Sequence, residues 1–429
     1  MTLKGEELNP HKSLIALLLF GIVVASVLTF VPYTLTLVKS AGEQVTAIAS
    51  AKSPEEETPD ALPVQKIAEP LFDASVWYAS REEELELHGV LIETLEGRQT
   101  LAAHNADEPF NPASLLKLAT SLLALRSLGP DHRFETRVYI DGQIDEQKTL
   151  QGNLYLVGND PMFGDMAAAR IARELRARGI ERVRDKIYVS PKLSFNYSES
   201  PADSAEYLSQ VMKLKQTGTG IAEQPAGEFQ FKLVSYPLRE VLLYMNAHSN
   251  NFVADRLGDY FGGPAGMEKF LEGELQQQPD QVSIVMVSGR QTSRLTARGM
   301  IAVLRALKTE VERHGLKLED IMPVACADYG TLRQRFAGTP LEGAVVGKTG
   351  TMTRDIDGGM ATLAGIVYTE RAGALLFAML DQGGDIGKNR ELQDQLLTEI
   401  ISCYDAPRVC LAAPRKLLPA TELKVMSGE

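Results

Sequence analysis

The chain has 429 residues, 44% of them hydrophobic, with 44 Lys and Arg against 56 Asp and Glu for a net charge of −12. That composition builds one large or about two to three ordinary domains and excludes a disordered chain. The acidic balance, with no dense basic run, excludes a nucleic-acid partner and offers no charge attraction to an anionic membrane surface.

From Ser13 to Val38 no charged residue occurs, and Leu14 to Val24 is apolar almost throughout. Such a run crosses a hydrocarbon layer of about 30 Å as a helix, so a transmembrane segment is expected over 13–38. Its length favours an uncleaved anchor, although Ala47-Ile-Ala49 and Ala49-Ser-Ala51 resemble the small-residue sites of a cleaved signal. Lys4 and Lys12 precede the segment and Lys39 follows it. The positive-inside rule therefore puts residues 1–12 in the cytoplasm and the rest outside an inner or plasma membrane.

Residues 39–72, with Ser53-Pro-Glu-Glu-Glu-Thr-Pro59, have little to bury and read as a flexible linker. Gly89–Leu95 and Gln99–Ala103 around Glu96-Gly97 predict a β-hairpin. Asn111–Arg126 predicts a helix closed by Gly129-Pro130, with Ser114 in its first turn. Apolar residues occupy nearly every side of it, so it is expected to be central and buried.

Residues 131–236 read as a smaller unit with strands at Arg137–Ile140, Asn153–Val157 and Ile187–Ser190 and a helix near 165–178; residues 200–230 are weakly patterned. Helical periodicity returns from Pro237 to Met245 and resumes from Asn250 to Phe261, leaving Ser249 at an interhelical turn. Three strands follow at Ala344–Gly350, Thr362–Tyr368 and Ala374–Leu380, then a helix over roughly 388–402 and a C-terminal tail from 406 to 429. Strands at both ends of the sequence with helices between them predict an α+β fold: an antiparallel sheet flanked by helices. Cys403 and Cys410 either close a small disulfide loop or stay unlinked; Cys326 has no obvious partner.

The residues with chemistry to offer are Ser114, Lys117, Ser249, Asn251 and Lys348-Thr349-Gly350. A serine hydroxyl is a weak nucleophile until a base within hydrogen-bond reach takes its proton. Lys117 lies one helical turn from Ser114 on the same face. It acts as a base only when neutral, and burial beside a second cation, for which Lys348 is the candidate, would lower its pKa. Ser249 is placed to relay a proton to a leaving amine, and Asn251 to orient a lysine and the substrate carbonyl. Gly350 is expected to leave room for substrate backbone, Thr349, Thr351 and Lys348 to meet a terminal carboxylate, and the Ser114 and Thr351 N–H groups to form an oxyanion hole.

In order, the S-x-x-K, S-x-N and K-T-G triplets are similar to the set shared by penicillin-binding proteins and class A β-lactamases. Longer stretches, His104–Ser114, Gly152–Gly158 and Gly330–Pro340 leading to Lys348, resemble the class C low-molecular-mass penicillin-binding proteins of the D-alanyl-D-alanine carboxypeptidase/endopeptidase type over about 88–385. The resemblance implies a transpeptidase-like catalytic domain (73–130 and 237–405) carrying a reduced α/β subdomain (131–236). It also implies a serine peptidase acting on peptidoglycan peptides, with β-lactams as covalent inhibitors and no cofactor. Two departures stand out: Asn250 where the family has Asp, and Met286–Arg294 in place of an Asp-Gly-Ser-Gly-Leu-Ser-Arg block.

His104, His132 and His248 lack metal-ligand spacing, so no metal is expected. Tyr329, Arg333 and Arg335 either border a groove or form a solvated face. Two other readings remain: a β-lactamase, for which no clearly placed Glu is found, and a non-catalytic peptidoglycan-binding scaffold, against which the complete residue set argues.

Overall fold

The structure, a computed structural model, describes residues 70–216, 218–410, 415 and 423–427. The expected cytoplasmic stretch, the membrane segment 13–38 and nearly all of the 39–72 linker lie outside the described residues. Among the described residues no helix is long and apolar enough to cross a membrane.

The Phe72 N–H donates to Leu101 O at 2.8 Å, and Asp73 caps helix α1 (Ala74–Ala79). Strands β1 (His88–Thr94) and β2 (Thr100–His104) form the expected hairpin. After β3 (Pro109–Phe110) a tight turn at Ala113–Leu115 leads into α2 (Leu116–Leu128). Every α2 residue from Leu116 to Leu125 is buried. Each buried Leu stabilises the packed state by about 1.5–3 kcal/mol, so this helix forms the axis of the domain despite having no polar face.

The next segment builds its own sheet and core: β4 (Glu135–Ile144), β5 (Thr149–Gly158), α3 (Asp165–Ala177), β6 (Arg182–Val183), β7 (Lys186–Val189), α4 (Pro201–Met212), β8 (Gly218–Ile221) and β9 (Glu228–Val234). Parallel β5, β7 and β8 are joined by α3 and α4, with antiparallel β4 and β9 beside them. Val138, Leu154, Ile171, Leu208 and Phe231 meet in its core. Helix α4 falls where the sequence reads as weakly patterned. Its start signal is nonetheless present, since the Ser200 hydroxyl accepts from Asp203 N–H and Pro201 opens the helix.

The chain returns through α5 (Leu238–His248), α6 (Asn251–Gly258), α7 (Gly263–Gly273), β10 (Leu295–Thr296), α8 (Ala297–Arg313), β11 (Val345–Met352), β12 (Met360–Tyr368), β13 (Ala374–Gln382) and α9 (Ile386–Tyr404). The main sheet runs β11-β12-β13-β1-β2, antiparallel throughout, so strands from both ends of the domain complete it. Leu118, Leu122, Met300 and Leu304 from α2 and α8 cover one face, and Trp77, Tyr78, Leu396 and Ile400 from α1 and α9 cover the other. Burial on both faces explains why β12 and β13 read as unbroken apolar runs without alternation.

One expectation changes and one open alternative closes. Lys424–Met426, expected within a tail, forms β14 on the open side of β9 and extends the smaller sheet. Cys326, Cys403 and Cys410 are free thiols. Cys403 is exposed on the last turn of α9, while Cys410 Sγ faces Ala344 O, so no loop closes.

Candidate active site

Before Ser114 the backbone turns sharply. Ala113 has φ +48°, a conformation that costs a side-chain-bearing residue about 1–3 kcal/mol and so must be held in place. Ala113 N–H donates to Asn111 Oδ1 at 3.0 Å, Asn111 Nδ2 donates to Asp357 Oδ2 at 2.8 Å, and Arg294 grips Asp357 with bonds of 2.9 and 3.0 Å. Gly289, also at positive φ, packs so closely that a Cβ there would lie 1.9 Å from Ala113 O. The departing block 286–294 thus clamps the nucleophile turn.

Lys117 is fully buried, with Nζ 2.9 Å from Ser114 Oγ, 2.7 Å from Asn251 Oδ1 and 2.5 Å from Ser288 O. Asn251 Oδ1 and Ser288 O only accept hydrogen bonds, so they take two N–H groups. In a neutral amine the remaining lone pair faces the Ser114 hydroxyl, which then donates to it. Burial lowers the Lys117 pKa to about 7; the Asp255 carboxylate opposes the shift and the Arg290 guanidinium adds to it.

Ser249 ends α5 with φ +54°, and Asn250 next to it caps α6 by accepting from Val253 N–H at 3.0 Å. The capping amide accounts for an Asn serving where the family has Asp. Lys348 Nζ donates to Ser249 Oγ at 2.9 Å and to Thr349 O. Burial pushes the Lys348 ammonium toward its neutral form, and the Lys117 cation pushes it further. Repulsion between two ammonium groups acts on both, and the Arg290 guanidinium is a further cation at Lys117 beside the expected Lys348.

Strand β11 is an edge strand, and its edge is only half open. Ala325 N–H donates to Val345 O at 2.8 Å and Gly347 N–H to Pro323 O at 3.1 Å, covering the first part. Polar groups alternate sides along a strand, so the N–H groups of Thr349 and Thr351 point the same way as that of Gly347. From Lys348 onward this side faces the cleft, which fits an oxyanion role for Thr351 N–H. Gly350 has a different reason from the expected one. A Cβ there would lie 2.2 Å from Thr362 Oγ1 and 3.0 Å from both Ala113 Cβ and Ser114 N, so glycine lets the strand fit against the nucleophile turn. Thr349 Oγ1 donates to Thr331 Oγ1 at 2.7 Å, and Thr351 Oγ1 accepts from Arg390 Nη2 at 2.8 Å.

All the residues singled out in the sequence therefore meet, in two linked groups: Ser114, Lys117 and Asn251, then Ser249 and Lys348, with Thr349–Thr351 alongside. Three further residues were not singled out individually. Asp255 Oδ1 accepts from Ser288 N–H at 3.1 Å, fixing the carbonyl that Lys117 meets, and Asp255 Oδ2 lies 3.2 Å from Arg290 Nη2. Asp255 follows Asn251 by one helical turn, a spacing that puts it on the same face. Ser288 and Arg290 sit in the departing block and carry no such signal. Arg333 stacks on Tyr329 at 4.2 Å, whereas Arg335 is buried against Asp394 and lines no groove.

A three-layer fold with a serine at a helix start, a lysine one turn on and a Lys-Thr-Gly edge strand defines a serine hydrolase of the penicillin-binding, transpeptidase-like class. The chain belongs to the D-Ala-D-Ala carboxypeptidase 3 (S13) family, whose model matches residues 75–193 and 188–399, and is thus a serine carboxypeptidase of the low-molecular-mass penicillin-binding proteins. It is 26% identical over 386 residues to Carboxypeptidase Rv3627c of Mycobacterium tuberculosis, covering 74% of this chain and 80% of that one. Its fold is similar to the predatory endopeptidase Bd3459 of Bdellovibrio bacteriovorus (TM-score 0.69, 20% identity, 79% of this chain and 99% of that one). A penicillin G-acylated form of Bd3459 gives a TM-score of 0.65 at 22% identity, covering 77% and 96%. Penicillin-binding protein 4 (dacB) of Haemophilus influenzae gives 0.57 at 18% identity, covering 72% and 96%.

Proposed function

We propose that the protein is a D-alanyl-D-alanine carboxypeptidase of peptidoglycan stem peptides, working through an acyl-enzyme on Ser114 and blocked covalently by β-lactams. Residues 13–38 anchor it in the inner or plasma membrane with the catalytic part outside the cytoplasm. The observation that carries the reading is the Lys117 amine, 2.9 Å from Ser114 Oγ and lowered to about 7 by burial. Neutral Lys117 takes the Ser114 proton as Oγ attacks the D-Ala carbonyl, and the oxyanion gathers on the Ser114 and Thr351 N–H groups. Ser249, bonded to Lys348, relays to the departing amine the proton that Lys117 took, which leaves Lys117 neutral again. Water then attacks the ester, with Lys117 again the base.

The same chemistry serves an endopeptidase, because the cross-link amide is also formed by a D-Ala carbonyl. The endopeptidase neighbour supports that as a second activity. The penicillin-acylated neighbour supports β-lactam capture. Full-length protein in detergent, given a fluorescent penicillin and muropeptides ending in D-Ala-D-Ala or joined by a cross-link, is expected to form a long-lived adduct on Ser114 and to release D-alanine. Rapid penicillin turnover would indicate a β-lactamase, and absence of any adduct a binding scaffold.

Asp255 offers a sharper test of the base. Its carboxylate favours the charged form of Lys117, and the other charged groups near that amine are Arg290 and Lys348. Asp255→Asn keeps an acceptor for Ser288 N–H but removes the charge. The acid limb of the kcat/KM profile is then expected to move to lower pH, because Lys117 stays neutral further down. An unmoved limb would mean that Lys117 is not the titrating base.

A further inference from the structure

Lys348, the cation nearest the Lys-Thr-Gly strand by sequence, is committed inward. It is fully buried, and its Nζ donates to Ser249 Oγ and Thr349 O. The outer hydroxyl of the strand, Thr351 Oγ1, instead accepts from Arg390 Nη2 at 2.8 Å. Thr351 and Arg390 are both exposed at the cleft end of β11.

Arg390 is held by its surroundings. Arg335 Nη2 donates to the Arg390 carbonyl at 3.2 Å, Arg335 Nε donates to Asp394 Oδ1 at 2.8 Å, and Asp394 Oδ2 accepts from Phe336 N–H at 3.1 Å. Gln393 Nε2 ties the same turn of α9 to Ala361 O of β12 at 2.9 Å. Asp394 is thereby used by Arg335. No carboxylate among the described residues forms an ion pair with Arg390. A guanidinium fixed beside a substrate-strand hydroxyl, with no anion of its own, suits a planar carboxylate that it meets as a fork.

We infer that Arg390, together with Thr351, binds the carboxylate of the substrate's leaving residue and makes the enzyme specific for acyl donors that carry one there. This rests on the proposed carboxypeptidase reading. It adds a specificity-determining residue outside the three motifs, on the first turns of the last helix.

The test uses full-length protein and two N-acyl-D-alanyl thioesters with the same acyl part. One leaves as mercaptoacetate, the other as its uncharged methyl ester. For Arg390→Ala, the ratio of kcat/KM between the charged and the neutral donor is expected to fall roughly tenfold to a hundredfold, mainly through KM. Arg390→Lys, which keeps the charge but not the fork, is expected to lie between the two. A ratio unchanged in Arg390→Ala would overturn the assignment, whether both donors slow equally or neither slows. Wild-type protein that hydrolyses neither donor and takes up no penicillin would instead remove the carboxypeptidase reading on which it rests.

Discussion

Ser114→Ala is expected to leave a folded protein with no penicillin adduct and a hydrolysis rate lower by about 10⁵-fold, the order seen when an activated serine is deleted. The folded state should survive because Lys117 Nζ retains Asn251 Oδ1 and Ser288 O as partners. The turn itself is held by Asn111, Asp357 and Arg294 and not by the hydroxyl. Intact mass after incubation with benzylpenicillin reads the result directly. An adduct persisting in the variant would assign the nucleophile elsewhere.

Lys117 should be nearly as sensitive, and its effect has a pH signature. Below about 7 the amine is protonated and holds no lone pair for Ser114; above it the base form dominates. The wild-type kcat/KM should therefore rise with pH through that value, and a flat profile from about pH 5 to about pH 9 would refute the assignment. Lys117→Ala removes the base and should lower acylation by about 10²–10⁴-fold at neutral pH. Lys117→Arg should fare no better, since a guanidinium keeps its proton across the whole range. Stopped-flow acylation separates this loss from a binding defect: the limiting rate should fall while half-saturation changes little.

The sheet and its two helical layers were legible because burial on both faces writes long apolar runs into β12, β13 and α2. The motif residues were legible for a similar reason, since each sits at a forced feature: a helix start, a left-handed cap, an edge strand. Helix α4 was not, because Ala205, Leu208 and Met212 are too sparse a stripe to outweigh its polar neighbours. Nor were the charges around Lys117, since the Arg290 guanidinium comes from a loop that departs from the family pattern and meets the Asp255 carboxylate of α6 beside that amine. Distance in three dimensions, not spacing along the chain, decides which cation lowers which amine. Gly350 makes the same point, as its crowding comes from Thr362 on the neighbouring strand and from the turn at Ala113.

The partly covered margin of β11 has a bearing on how the protein behaves in company. A bare strand edge is a template on which copies of a chain can stack and aggregate. Here the segment Pro323–Ala325 occupies the margin through Gly347, leaving only Lys348–Met352, with a charged arginine at its far end. That remnant is long enough to receive a short extended peptide and too short to seed a sheet between molecules. One stretch of backbone thus leaves room for a peptide while giving a second copy of the chain little edge to pair with there.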